Sequence, residues 1–310
     1  MKTTKISTAL TAAALLGVAT PALATLVAHE PFDYADTGPS DGVNFLGDGN
    51  QAGGLGLTQW RQANSRSNPA DNEIEVRSTG LTFNDGVRDL VESGGQLVRV
   101  SRVGQASASS TLTVPAAAAL TADNTTMWMS FLYVDNGFSG PDSAIALASQ
   151  DMIAADSANL AAPGYGVGVD IIFNAGVGTA VYNGGTSSTK VREAVPTFGT
   201  DAGTSSDVFL FAAKINWNPD GVDDEIFVFN ITDMSAEPDE SSALASDTFN
   251  MLAVNQALLN VLTISETQVD GFDEIRLGTT FDSVVPFVPE PSSLALLGLG
   301  GMLIARRRRG

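Results

Sequence analysis

Cysteine is absent from this chain of 310 residues, and histidine occurs once, as His29. Without cysteine there is no disulfide framework, no thiolate nucleophile, no iron–sulfur cluster and no Cys-type zinc site. With one imidazole, no site on this chain can use two. Basic residues are scarce as well: 16 Lys and Arg stand against 35 Asp and Glu, a net charge of −19. Phosphate contact needs clustered Lys and Arg, so nucleic acid and anionic lipid surfaces are poor partners for the whole chain. No repeat of 20–50 residues appears, which argues against a solenoid or propeller.

Both ends read as addresses. The first 24 residues contain no acid. Lys2 and Lys5 precede an apolar run from Ala9 to Val18, and Pro21-Ala22-Leu23-Ala24 follows. This order is that of a secretory signal peptide cut by signal peptidase after Ala24. A membrane anchor would need a longer apolar run. At the other end Val288-Pro289-Glu290-Pro291 leads into Ser292–Ala305, 14 residues without charge, and then Arg306, Arg307, Arg308 and Arg309. As a helix this run spans roughly 21 Å, short of the ~30 Å bilayer core, although arginines that snorkel extend its reach. Pro291 suits a first helical position, and Glu290 sits beside the positive end of the helix dipole. The arginines hold their end in the cytoplasm, so the globular part lies outside, tethered to the inner membrane by a thin helix.

A Pro-Glu-Pro triplet, a short apolar helix and a terminal arginine cluster, behind a signal peptide, resemble the PEP-CTERM sorting signal of Gram-negative bacteria. The same tail also goes by the name of an ice-binding-protein C-terminal domain. The resemblance covers Val288 to Arg309. It implies export, transient anchoring, and processing near the triplet by an exosortase, a membrane transpeptidase-type enzyme. It implies a destination in the cell envelope, at the surface or in an exopolysaccharide-rich extracellular matrix. By the same resemblance Pro289, Glu290 and Pro291 are recognition residues and Arg306–Arg309 the cytoplasmic stop. Ice binding finds no flat, regular Thr array here.

Six of the basic residues and one acid lie in these two ends, leaving 10 basic and 34 acidic residues from Thr25 to Phe287, a net of −24. Such a surface is soluble and repels polyanions. Residues 25–287 read as one all-β domain, an antiparallel β-sandwich. Strong strand patterns fall at Thr126–Val134, Ser143–Ala148, Tyr165–Phe173, Val208–Trp217, Glu225–Ile231 and Phe272–Thr279. Weaker ones fall at Gly54–Trp60, Glu73–Arg77, Leu97–Val103, Ser110–Val114, Thr179–Tyr182 and Leu258–Ile264. Phe209, Phe211, Ala213, Ile215 and Trp217 share one face of their strand, with Lys214 and Asn216 on the other. The Trp217-Asn218-Pro219-Asp220-Gly221 turn joins that strand to Phe227, Phe229 and Ile231 in a long hairpin, with Asp-Gly set for a positive φ. Alternation in Gly271–Gly278 places Phe272 opposite Asp273, Ile275 and Leu277. Ala116–Leu120, after Pro115, suits a short helix, and Thr232–Asn250 an exposed acidic loop. The blocks from Glu30–Tyr34, an opening strand, through Met127–Phe131, Gly166–Val169 and the hairpin to Phe272–Gly278 are similar to concanavalin/laminin-G-like jelly rolls.

The core offers little chemistry. His29 lies about five residues into the mature chain, where a frayed end gives no rigid platform for Ser–His–Asp hydrolysis. Glycosidases on this type of fold carry Glu-x-Asp-x-x-Glu on one strand; Glu73-Ile74-Glu75-Val76-Arg77 lacks the middle Asp and the last Glu. Asn218, Asp220, Asp223, Asp224 and Glu225 crowd one hairpin loop, a set of oxygen donors that suits Ca²⁺ but lacks EF-hand spacing. Acidic turns of this kind are common without any ion. Trp60, flanked by Gln59, Arg61 and Gln62, is the candidate for stacking on a sugar. Trp128 and Trp217 belong with the core. Asn124-Thr125-Thr126 and Asn230-Ile231-Thr232 match the glycan acceptor pattern and carry little weight in a bacterial chain. The sequence therefore predicts an exported, non-enzymatic surface protein with a lectin-like or adhesive core that needs no cofactor. A polysaccharide-active enzyme on the same fold and a purely structural spacer are the alternatives.

Overall fold

The computed structural model of the protein describes residues 25–34, 53–64, 74–77, 79–99, 106–135, 143–149, 165–172, 176–183, 188–189, 192–193, 207–250, 256–266 and 270–288. Ala24, Glu73, Pro289, Glu290, Pro291 and Arg306–Arg309 lie outside these residues, as do the expected signal peptide and tail helix. No helix among the described residues is long and apolar enough to cross a membrane.

Among the described residues, two eight-stranded antiparallel sheets form a sandwich. In the first, β3 (Ile74–Arg77), β4 (Gln96–Arg99), β16 (Asp270–Gly278), β6 (Thr125–Asp135), β12 (Val208–Trp217), β13 (Asp224–Asn230) and β14 (Ala245–Phe249) lie side by side. The opening strand β1 (Leu26–Glu30) pairs with the second half of β16, on the edge whose first half pairs with β4. The second sheet runs β2 (Leu57–Asn64), β5 (Ala106–Leu112), β15 (Val261–Glu266), β7 (Ser143–Ala148), β8 (Tyr165–Ile172), β9 (Gly176–Asn183) and β10 (Ser188–Thr189), with β11 (Arg192–Glu193) also on β9. The chain passes repeatedly between the sheets, so contacts of long sequence separation build the core.

Period-2 alternation explains the layers. Phe209, Phe211, Ala213, Ile215 and Trp217 of β12 and Met127, Met129, Phe131 and Tyr133 of β6 point inward. They meet Ile145, Leu147, Val167, Val169, Leu262 and Ile264 of the second sheet. Phe131 lies 5.9 Å from Phe211 and 5.8 Å from Phe272, ring centre to ring centre, and Tyr133 meets Phe272 edge-on at 5.3 Å. The outer face of β6, β12 and β13 is apolar over half its length. There Trp128, Leu132, Leu210, Phe229 and Ile231 are covered by Leu81, Leu90, Met234 and the short helix α2 (Phe281–Val284). Phe227, Phe229 and Ile231 thus alternate as expected but face this outer layer, while Ile226 and Val228 face the sandwich interior.

Expected strands at Ser143–Ala148 and Val208–Trp217 have those bounds, and the other strong ones differ by at most two residues. The weaker ones shift where a local bond intervenes. Gly56 turns at φ +73°, which delays β2. Pro115 starts helix α1 (Val114–Leu120), which ends β5 early. Three readings are corrected. The opening strand is Leu26–Glu30, not Glu30–Tyr34: Pro31 offers no N–H, and Phe32 turns at φ +49° with its amide bonded to the Glu30 carboxylate. In β16, Phe272, Ile275 and Leu277 all face inward. Asp273 pairs with Leu132 and Arg276 with Ser130, so one extra residue bulges out at Glu274, whose φ is +49°. Thr232–Asn250 is also more than a loop. It holds a 3-10 turn at Glu240–Ser242, capped by Asp239, and then the strand β14.

Candidate functional site

Where the apolar cover ends, the outer face of the first sheet becomes polar. Lys214 of β12 faces outward with its ammonium 5.6 Å above the Trp128 ring, and Phe227 is its cross-strand neighbour on β13. The Lys214 Nζ reaches Glu237 at 2.9 Å and Glu240 at 3.0 Å. Burial lowers its affinity for the proton, but the hydrogen bonds and charges of the two glutamates outweigh that and hold its pKa above the ordinary lysine value. Next along the strand, Asn216 donates to Glu225 at 3.3 Å and accepts from Thr126 at 3.1 Å. Glu225, Phe227, Ser246, Asp247 and Thr248 line a shallow groove between β13 and β14. Burial pushes the Asp247 carboxyl above its ordinary pKa, partly offset by the Thr248 amide. Its Oδ2 has no hydrogen-bond partner among the described residues. The groove thus combines a half-buried aromatic ring, hydroxyls, the Glu225 carboxylate and a nearby ammonium; Asp247, paired with the inward-facing Ile226, turns its side chain to the other face of the sheet.

The hairpin acids serve the turn. Asn218 donates its backbone N–H to Asp224 Oδ1 at 2.8 Å and its side-chain amide to the Asp223 carbonyl at 2.7 Å. Asn250 donates to Asp223 Oδ1 at 2.8 Å. Gly221 takes φ +92°, as the Asp-Gly pair predicted. Burial raises the pKa of Asp224; the bond from Asn218 opposes the rise, and the charges of Asp123 and Asp223 add to it. Asp220 and Asp223 point to solvent, and Asp224 is buried at the start of β13. Among the described residues, no three His, Asp or Glu side chains converge in a way that could hold a metal ion.

Trp60 is fully buried, so neither face of its ring is open to a sugar. Its Nε1 donates to Glu30 Oε2 at 2.6 Å, and the same oxygen accepts from Tyr34 at 2.8 Å and from the Gly54 amide at 3.0 Å. Burial first, then the charge of Glu30, raises the Tyr34 phenol far above its ordinary pKa. Trp217 is buried as expected and donates to the Leu120 carbonyl at 2.7 Å. Trp128 is buried too, but on the outer face, stacked on Phe229 at 5.9 Å and edge-on to Phe281 at 5.3 Å. Glu75, in the run compared with the glycosidase pattern, is buried in β3 at 6% exposure.

Sequence reasoning missed a second polar cluster. His29 is not on a frayed end: β1 is paired along β16, and His29 Nε2 lies 2.6 Å from Glu274 Oε2. Glu274 also takes Arg276 at 2.5 Å, the Ser93 hydroxyl at 3.0 Å and the Ser93 amide. Burial raises the Glu274 pKa, but the bond from His29 and the charge of Arg276 prevail and hold it below the ordinary value. Beside it Asp273 accepts from the Leu81 and Glu274 amides, each at 2.7 Å, and burial pushes its pKa up to about 8. Ser93 and His29 both bind the carboxylate rather than each other, so this is no nucleophile–base pair. The cluster ties three segments together. Only the run Asp273-Glu274-Ile275-Arg276 hinted at it, and alternation placed those residues on the wrong faces.

The fold leaves the tail as the most specific feature. A model of the PEP-CTERM protein-sorting motif matches residues 287–309. The chain carries a PEP-CTERM sorting signal. This marks an exported protein that an exosortase processes and that is sorted to the cell envelope or surface. No curated protein matches the chain. Among solved structures it is similar to the botulinum neurotoxin serotype C1 binding domain, with 11% identity, a TM-score of 0.36, and coverage of 71% of this chain and 48% of that one. The chain therefore spans about half the length of that toxin domain. It is also similar to a carbohydrate esterase from a Shiga toxin-encoding bacteriophage, with 10% identity, a TM-score of 0.36 and coverage of 83% and 99%. A third is domain 4 of the arabinanase AbnA from Geobacillus stearothermophilus in complex with arabinotriose, with 10% identity, a TM-score of 0.33 and coverage of 84% and 97%. Similarity at this level assigns no activity.

Proposed function

We propose that this PEP-CTERM protein is a non-catalytic glycan-binding or adhesive module of the envelope or extracellular matrix of a Gram-negative bacterium. Signal peptidase removes residues 1–24, and the tail helix anchors the chain in the inner membrane until exosortase acts. The observation that supports binding is the groove on the outer face of the first sheet. A sugar face can lie on the Phe227 ring, with Ser246, Thr248 and Glu225 at hydrogen-bonding positions around it. The surroundings are strongly acidic, which favours neutral or amino sugars over uronic-acid polymers. Retention of the purified protein on a panel of neutral, cationic and anionic polysaccharides tests this. Binding that Phe227→Ala abolishes is the expected result; equal binding by both forms refutes the site.

New reducing ends during the same incubation would establish a polysaccharide-active enzyme instead.

A further inference from the structure

The sorting motif begins at residue 287, within the folded body. Pro286, Phe287 and Val288 lie along residues 89–91 as a short antiparallel pairing. Val91 donates to the Pro286 carbonyl and Val288 to the Asp89 carbonyl, each at 2.9 Å, and Leu90 and Phe287 form the bridge between them. The Phe287 ring packs against the apolar cluster that holds Leu90 and Phe281. The guanidinium of Arg88 lies 5.2 Å from the centre of that ring. Arg88 is itself fixed by Asp85 at 3.3 Å and Asp233 at 3.2 Å. The loop beneath is anchored in turn, since Leu81 donates to the buried Asp273.

Pro289 follows the last bonded amide directly. Consecutive Cα atoms are ~3.8 Å apart, so the whole Pro289-Glu290-Pro291 triplet starts within ~12 Å of the pinned Val288. An enzyme that cuts a peptide must enclose an extended stretch on both sides of the bond. Here the stretch before the triplet is already hydrogen-bonded to the domain. The pairing is also thin. Val288 is 51% exposed, and among the described residues the pairing of Pro286–Val288 is with 89–91 alone. Such an edge opens locally without unfolding the sandwich.

We infer that Pro286–Val288 is a strap that ties the chain just before the sorting triplet to the domain, so that exosortase processing proceeds through release of the strap. Arg88 and Phe287 are the positioning residues that set how often it opens. The inference rests on the reading that exosortase processes this tail. The strap makes the exported domain's own folded surface a brake on its processing.

The test uses the full chain in a Gram-negative host that supplies an exosortase, with the processed fraction followed by pulse-chase and intact mass. One variant inserts Gly-Ser-Gly-Ser between Val288 and Pro289, which leaves strap, triplet and tail intact but moves the triplet away. A second is Arg88→Ala, outside the matched motif. Hydrogen exchange of the Val91 and Val288 amides is measured on the purified full chain. The insertion should speed processing several-fold. Arg88→Ala should raise both amide exchange and processing by about five- to thirtyfold. Processing of the inserted chain at the wild-type rate would overturn the strap and leave the sorting reading standing. Failure of every form to be processed, the inserted one included, would refute both.

Discussion

Replacing Glu30 with glutamine or alanine should show how far the opening strand carries the fold. The Glu30 carboxylate is fully buried and accepts from the Phe32 amide at 2.9 Å, Tyr34 at 2.8 Å, the Gly54 amide at 3.0 Å and Trp60 at 2.6 Å. Three of these donors share Oε2, and the Phe32 amide alone uses Oε1. Glutamine can keep its oxygen toward the three, but its NH2 then faces the Phe32 N–H. One bond is lost and two donors are set against each other. Hydrogen bonds to a charged group contribute about 1.5–3 kcal/mol each, so Glu30→Gln should cost about 2–3 kcal/mol. Glu30→Ala strands all four donors in the interior. Simple addition exceeds what non-additive networks deliver, and a loss of about 5 kcal/mol is expected, close to the whole stability of many domains. Tyr34→Phe removes one donor but leaves Glu30 Oε2 the Trp60 and Gly54 donors, so no polar group is stranded, and it should cost only about 1 kcal/mol. Urea unfolding of the purified protein, followed by tryptophan fluorescence, measures all three, since Trp60 sits on the carboxylate. A Glu30→Gln loss below about 0.5 kcal/mol would refute the reasoning, because the strand would then be dispensable.

Three further outcomes follow from the same structure. Asp273 has its folded pKa raised from 3.8 to about 8, so the folded state holds a proton that the unfolded state releases. Stability should therefore fall as pH rises from about 4 to 8, by at most about 5 kcal/mol. Asp273→Asn should flatten that slope in melting curves taken from pH 5 to 9, and a wild-type melting temperature that rises over the same range would contradict it. Phe131→Ala opens a cavity among Phe211, Phe272 and Tyr133 and should cost about 3–5 kcal/mol in urea unfolding. Replacing Arg306–Arg309 with serine should abolish retention at the inner membrane and change processing, read by fractionation and mass; unchanged location and mass would sink the sorting assignment.

The strands that read clearly were those with uninterrupted local patterns. Val208–Trp217 was legible because Phe209, Phe211, Ala213, Ile215 and Trp217 alternate into the core, and Ser143–Ala148, buried along its whole length, because a short unbroken apolar run suits a strand covered on both faces. The motif matched at 287–309 was equally legible, since its three features are ordered along the chain and owe nothing to folding. The tertiary structure decided what depends on partners distant in sequence. Glu274 bulges from β16 because His29, 245 residues away, and Ser93, 181 residues away, converge on its carboxylate. Trp60 reads as an exposed sugar platform from Gln59, Arg61 and Gln62, yet Glu30 draws its indole inward, 30 residues back along the chain. The groove at Phe227 was hidden because β14 had the composition of a loop and becomes a strand only by pairing with β13. Local pattern specifies which residues alternate. Whether a face meets water, a second sheet or a buried carboxylate is set by long-range pairing, whose cost in chain entropy only the assembled core offsets.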